Sequence, residues 1–204
     1  MFKFINKEDK LNQNQNSLTI TYPRTVNIIF GHYPFPELIN HFIIEIKNNL
    51  DLKMENYTHV KGGMTDWNYF KDKKDFINFM TYLINKHQTT QPEIFKFFLE
   101  KFIITNAWGN EIKPNDNLTY HDHSDLHGIL YLTKGCELHL PELNLKINPH
   151  PGDYYIFPPK ILHGFDKYEG QTNRYSLIFN IGQGESFEFN KKINLIKNKK
   201  MKKL

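Results

Sequence analysis

From Phe102 to about Phe189 the chain is cut into short β-rich runs by Gly, Pro, Asn and Asp, and this punctuation restricts the possible folds more than any other feature. The runs are Phe102–Trp108, Leu118–His121, Gly128–Leu132, Glu137–Leu140, Leu143–Ile147, Tyr154–Phe157 and Arg174–Ile181. Each is too short for a core helix, and many short strands at this spacing close into an antiparallel sandwich or barrel. The text ahead of them differs. Leu18–Thr21 and Val26–Phe30 read as strands, and Pro34 and Pro36 then introduce a helix with Leu38, Phe42, Ile46 and Leu50 on one face. Gly62-Gly63 reads as a turn. A second amphipathic helix is expected from about Lys74 to His87, with Phe76, Phe79, Met80, Leu83 and Ile84 as its apolar stripe. Thr90-Gln91-Pro92-Glu93 supplies a cap, an early Pro and a capping-box Glu for a third helix reaching about Glu100.

The expected fold class is therefore α+β: a double-stranded β-helix (a jelly-roll, cupin-like barrel) over about 102–189, with N-terminal helices from about 31–100 packed on one sheet. Residues 1–190 form a single domain in this reading. The aromatic share of 15%, with 17 Phe and 11 Tyr, is ample for a core of that size. The net charge of +4 says little about partners, because Lys191–Leu204 contains seven lysines and no acid. With those seven charges set aside, residues 1–190 are left at −3, and the 191–204 tail reads as a disordered, solvated end. Nucleic acid and membrane are accordingly not expected partners. The lone cysteine, Cys136, excludes an intrachain disulfide framework and fits a reducing compartment. No apolar run of signal-peptide length opens the chain and no run approaches the roughly 20 residues of a membrane span. A soluble, cytoplasmic protein is expected.

The chemistry gathers in the second half. His121-Asp122-His123-Ser124-Asp125 places four possible metal ligands in five residues at the end of a strand-like run. Residues two apart on a strand share a face, so His121 with His123, or His123 with Asp125, can address one ion together. A third donor must come from elsewhere. Pro151-Gly152-Asp153 turns into the apolar run Tyr154–Phe157, and Pro158-Pro159 then bends the chain into Lys160-Ile161-Leu162-His163. The glycine permits the turn, and the proline starts a loop that carries His163 to the barrel mouth. Eleven residues later, Arg174 and Ser176 share a strand face assigned to the interior. Burying an arginine is costly unless an anion meets it, and a guanidinium fork beside a hydroxyl suits a carboxylate. Tyr131 can add a phenolic hydrogen bond, and Asn110 is a further candidate in the same shell.

Together these stretches resemble the 2-oxoglutarate/Fe(II) oxygenase superfamily, and within it the small oxygenases of phages and marine bacteria. The resemblance is carried by Lys61 to Trp67, Trp108-Gly109-Asn110, Tyr120 to His123, Asp125 to Leu132, Pro151 to His163 and Arg174 to Ile181. It implies a jelly-roll core, iron at the histidines, 2-oxoglutarate on Arg174, and oxidation of a C–H bond with release of succinate and carbon dioxide. The substrate would be a peptidyl proline or another protein side chain, a free small molecule, or a nucleobase. One departure is plain: the superfamily's His-x-Asp or His-x-Glu is replaced in register by His121-x-His123. The metal set is then His121, His123 and His163, with Asp125 as the rival third ligand. A neutral third histidine leaves the metal more positive than a carboxylate would.

Two other classes fit parts of the pattern. A cupin-type three-histidine metalloprotein, a dioxygenase or isomerase without 2-oxoglutarate, suits His-x-His but gives Arg174 no task. A barrel that binds without turning over is the other. Trp67 and Trp108 read as core or barrel-wall aromatics, His127 as a second-layer or surface residue, and His139 and His150 as solvent histidines.

Overall fold

The computed structural model describes residues 3–5, 17–22, 24–51, 54, 62–87, 102–135 and 137–183. The expected third helix, Cys136 and the basic tail lie outside the described residues. Twelve strands occur among those described. They are β1 (Lys3–Ile5), β2 (Ser17–Tyr22), β3 (Arg24–His32), β4 (Gly63–Met64), β5 (Phe102–Ile112) and β6 (Leu118–His121), followed by β7 (Leu126–Tyr131), β8 (Leu138–Leu140), β9 (Leu145–Ile147), β10 (Asp153–Phe157), β11 (His163–Phe165) and β12 (Arg174–Gln183). The helices are α1 (Pro36–Asn48) and α2 (Lys74–His87).

From β5 onward the strands divide between two sheets. The larger sheet has the order β2-β3-β10-β7-β12-β5-β4 and the smaller β1-β9-β8-β11-β6. Within them β5, β12, β7 and β10 face β6, β11, β8 and β9, which is the double-stranded β-helix. The chain passes from one sheet to the other at nearly every turn, so no local signal reports which strands pair. The hairpin β2–β3 widens the larger sheet through β10, with Tyr155 opposite Phe30. Gly62-Gly63 departs from its expected turn: Gly63 and Met64 pair with Glu111 and Asn110 at the edge of β5.

Alternation along the central strands makes two compartments. Leu130, Leu177, Phe179, Tyr154 and Ile156 point outward and pack with Phe42, Ile46, Phe76, Phe79 and Leu83 of the two helices. Trp108, Ile129, Tyr131, Tyr155, Phe157 and Ile178 point inward and fill the barrel with Leu138, Leu140 and Leu145 of the smaller sheet. α1 starts on Pro36 in its first turn, where the missing N–H costs no hydrogen bond, and it buries Ile39, Phe42 and Ile46. Ile39 replaces Leu38 at the centre of the expected face, Leu38 lying at its margin. All five residues of the expected α2 stripe are buried. Close approach of helix to sheet depends on Gly109, whose missing side chain leaves room for Ile46, and Gly128 likewise admits the ring of Phe179. No described helix is long and apolar enough to cross a membrane.

Candidate functional site

Three rows of side chains run across the barrel's inner wall, each made of residues directly opposite one another on neighbouring strands. Asn110, Ser176 and Tyr131 make the first row across β5, β12 and β7. Trp108, Ile178, Ile129 and Tyr155 make the second, an apolar girdle. Asn106, Asn180, His127 and Phe157 make the third. Polar chemistry thus sits at two levels, separated by a layer of large, mainly hydrophobic side chains.

Beyond the third row, β6 and β11 bring the histidines together. His121 at the end of β6 is paired with His163 at the start of β11. One ligand atom from each of His121, His123 and His163 lies within 4.8 Å of the others, in a group able to hold a metal ion. The imidazole rings are close, with centroids 4.5 Å apart for His121 and His163 and 5.0 Å for His121 and His123. His121 donates Nδ1–H to the Thr119 carbonyl at 2.7 Å, and His163 donates Nδ1–H to the Ile161 carbonyl at 3.0 Å. With Nδ1 turned to a carbonyl, Nε2 is the nitrogen through which each ring would bind a metal in its neutral form. The donor set fits a first-row divalent metal with open positions.

The two loops that carry these ligands are fastened together. Lys160 adopts a left-handed backbone, φ 62°, which a side chain tolerates only at some cost. In that conformation its amide donates to the His123 carbonyl at 2.9 Å while its ammonium reaches Asp122 at 3.1 Å. Gly152, at φ 88°, makes the preceding turn, which a glycine alone adopts readily. Asp125 lies apart from the three-histidine group: its carboxylate accepts from the Thr105 hydroxyl at 3.0 Å. The literal His123-Ser124-Asp125 motif therefore splits between the metal group and the wall of β5.

At the other level, Arg174 is buried beside Ser176. Its guanidinium lies 4.8 Å from the Tyr131 ring centroid and 5.3 Å from that of Phe165. Among the described residues, Arg174 Nε and Nη1 and the Asn110 Oδ1 are buried without a hydrogen-bond partner. The acid nearest in sequence register, Glu111, points to the helical side, where its carboxylate accepts from the Tyr175 hydroxyl at 2.6 Å and Asn173 at 2.9 Å. Asn110, which could equally have been a turn residue after Trp108-Gly109, is instead a strand residue, because β5 runs on to Ile112.

One histidine differs from its sequence reading, and for another the structure selects the second-layer alternative over the surface one. His139 is half-buried rather than solvent-bathed, with Nδ1 2.9 Å from the Tyr120 hydroxyl. His127 is buried on the inner wall, and desolvation, followed by the neighbouring His163 and His123, holds its pKa well below that of a free imidazole. The signal that could have placed it was the alternation His127, Ile129, Tyr131 along one strand face. Trp108 lines the barrel wall, with Trp67 packed against it at 4.7 Å.

No protein-family model matches the sequence, and no curated protein matches it either. Solved structures do. A viral collagen prolyl hydroxylase from Paramecium bursaria Chlorella virus-1, in complex with 2-oxoglutarate, superposes with a TM-score of 0.55 at 14% identity, over 74% of this chain and 94% of that one. A Pseudomonas putida prolyl-4-hydroxylase gives 0.55 at 11%, over 77% and 92%. HygX from Streptomyces hygroscopicus, with nickel and 2-oxoglutarate bound, gives 0.53 at 11%, over 76% and 82%. This is the fold of the 2-oxoglutarate/Fe(II) oxygenases. The similarity spans most of each of these chains.

Proposed function

We propose that this chain is an Fe(II)- and 2-oxoglutarate-dependent oxygenase, a hydroxylase, with His121, His123 and His163 as metal ligands. In this reading Arg174 and Ser176, with Tyr131 and Asn110, hold the co-substrate. The observation that carries it is Arg174: a buried guanidinium on the inner wall, with two nitrogens lacking a partner among the described residues. A cation so placed is tolerable only if an anion completes it. A carboxylate reaching in from the metal level would do so, met by the fork of Arg174 and the hydroxyl of Ser176. The 2-oxoglutarate bound in two of the similar structures supports the reading.

Held by these residues, iron and 2-oxoglutarate would supply the oxidising power for hydroxylating a C–H bond, with succinate and carbon dioxide as co-products. The chain's own residues bind and orient. The histidines fix the metal, Arg174 and Ser176 set the distance of the co-substrate from it, and the girdle of Trp108, Ile129, Ile178 and Tyr155 keeps water from the space between. No side chain is required as a strong acid or base. Two of the similar structures are prolyl hydroxylases, so peptidyl proline is the first substrate to test, ahead of free small molecules.

Anaerobic titration with Fe(II) and then 2-oxoglutarate, followed by the weak visible charge-transfer band, tests the proposal. His163→Ala and His121→Ala should lose stoichiometric iron, and Asp125→Ala should keep it. Arg174→Ala should bind iron normally but 2-oxoglutarate about tenfold to hundredfold more weakly, the cost of a lost charge-assisted bidentate contact. Arg174→Lys should recover only part of this, since an ammonium has no fork. If the iron-loaded wild type binds no 2-oxoglutarate at millimolar concentrations, a cupin-type three-histidine metalloprotein replaces the oxygenase reading.

A further inference from the structure

Beside the three converging histidines stands a fourth imidazole. His127 occupies the third row of the inner wall, directly opposite Asn180 on β12. Its Nδ1 lies 2.9 Å from the Asn180 side-chain oxygen. An amide oxygen only accepts, so Nδ1 carries the ring proton and the bond locks the ring's rotation. That locked ring lies face to face with His123, centroids 3.8 Å apart and planes 7° from parallel. It also faces His163, at 4.9 Å and 27°, and has Trp108 6.3 Å away.

A metal bond to imidazole needs the ion in the plane of the ring, because the lone pair lies there. Each ligand ring must therefore be held in orientation as well as position. His121 and His163 are oriented at Nδ1 by main-chain carbonyls. His123 is gripped on its face. With parallel rings at van der Waals separation, turning His123 about its terminal torsion drives a ring edge into His127, so the stack permits one plane. The sequence motif does not encode this, since three residues separate the two histidines and only the bend at Ser124-Asp125, ahead of β7, folds one ring onto the other.

We infer that the His127–Asn180 pair is a positioning device for the third metal ligand: Asn180 fixes the plane of His127, and the stack passes that plane to His123. The inference rests on the metal reading proposed above. The stack also has an electronic side, because a bound cation withdraws density from the His123 ring and the face of a neutral aromatic neighbour stabilises such a ring. His127 has no place in the group of ligand atoms that lie within 4.8 Å of one another, which is His121, His123 and His163, so it acts through His123 and not as a fourth donor.

Titration of the full chain with Co(II), read by its d–d absorption, separates these roles. His127→Ala should weaken Co(II) binding by about 10–100-fold, the usual loss when a ligand's outer support is removed, and shift the d–d band as the site relaxes. His127→Phe keeps the stack without the Asn180 bond and should retain most of the affinity. Asn180→Ala should shift both readouts in the same direction as His127→Ala, by less. Unchanged affinity and spectrum in His127→Ala overturn the inference. So does a His127→Phe protein that loses cobalt as completely as His163→Ala, because His127 is then a ligand. Should His127→Ala fail to fold, Asn180→Ala decides, an unchanged spectrum there counting against the proposal. A wild type that takes up no Co(II) is a failure of the metal reading itself, which the variants do not share.

Discussion

The two faces of the larger sheet are made from alternate residues of the same strands and obey different rules. On β12, Tyr175, Leu177, Phe179 and Ile181 face the helices, while Arg174, Ser176, Ile178 and Asn180 face the barrel. The helical face is dry and aromatic: Phe79 meets Tyr33, Tyr154 and Phe179 in edge-to-face contacts with centroids 5.0–6.1 Å apart. A polar side chain that enters it, His87, sets its Nε2 2.7 Å from the Tyr154 hydroxyl. The barrel face is the reverse. It holds two guanidinium nitrogens and an amide oxygen buried without hydrogen-bond partners among the described residues, a stacked pair of imidazoles, and a mainly hydrophobic girdle between them. One face lowers the free energy of the folded chain; the other spends part of that on groups completed only by a ligand.

The sharpest way to break this contrast is to truncate the dry face. Phe79→Ala should cost about 3–5 kcal/mol, the range for a buried Phe that leaves a cavity. Urea unfolding of the metal-free protein measures it. A loss under 1 kcal/mol would mean that the helices do not carry the stability of the sheet.

Acid should reveal the dry face next. Burial holds His87 at about 4, whereas the unfolded chain titrates near 6.5. Between these values the unfolded chain binds a proton that the folded one refuses. Stability is therefore complete above about pH 6.5 and falls as pH drops toward 4, by up to about 1.4 kcal/mol per pH unit. His127, shifted the same way, adds to that slope in the metal-free protein. His87→Phe should shed its own share and flatten the acid limb, which parallel denaturant titrations at pH 7 and pH 5 would show. Identical slopes in wild type and variant would put His87 in contact with water.

The smallest effect has the opposite sign. Because Arg174 is a buried cation with incomplete partners, Arg174→Met should leave the metal-free protein more stable by about 1 kcal/mol while losing 2-oxoglutarate. The aromatic faces of Tyr131 and Phe165 already offset part of the burial cost, which keeps the gain small. A variant less stable than wild type would show that Arg174 has a protein partner and is structural.

Much of this molecule was legible in residue order, for local reasons. The α2 stripe of Phe76, Phe79, Met80, Leu83 and Ile84 is read at helical period and all five are buried. Period-two alternation was enough to put Arg174 and Ser176 on one face, and Gly152 marks a turn because only its left-handed backbone passes there cheaply. Local texture failed where the outcome depended on a distant neighbour. Gly63 became a strand residue because β5 offered an edge. His139 became half-buried because Tyr120 lies against it.

The choice between His121 and Asp125 shows the division most clearly. On paper both flank His123 at the spacing of a shared strand face, and residue order has no means to rank them. The geometry that favours His121 as the proposed ligand comes from β6 pairing His121 with His163 across 42 residues of chain, while the Thr105 hydroxyl of β5 donates to the Asp125 carboxylate. Residue order determined the periods, turns and kinds of donor, because these depend on groups a few bonds apart. Tertiary structure alone decided which donors converge, that Asn110, Ser176 and Tyr131 form one row, and that His127 lies flat against His123, because strand register between remote segments is set by packing of the whole sheet.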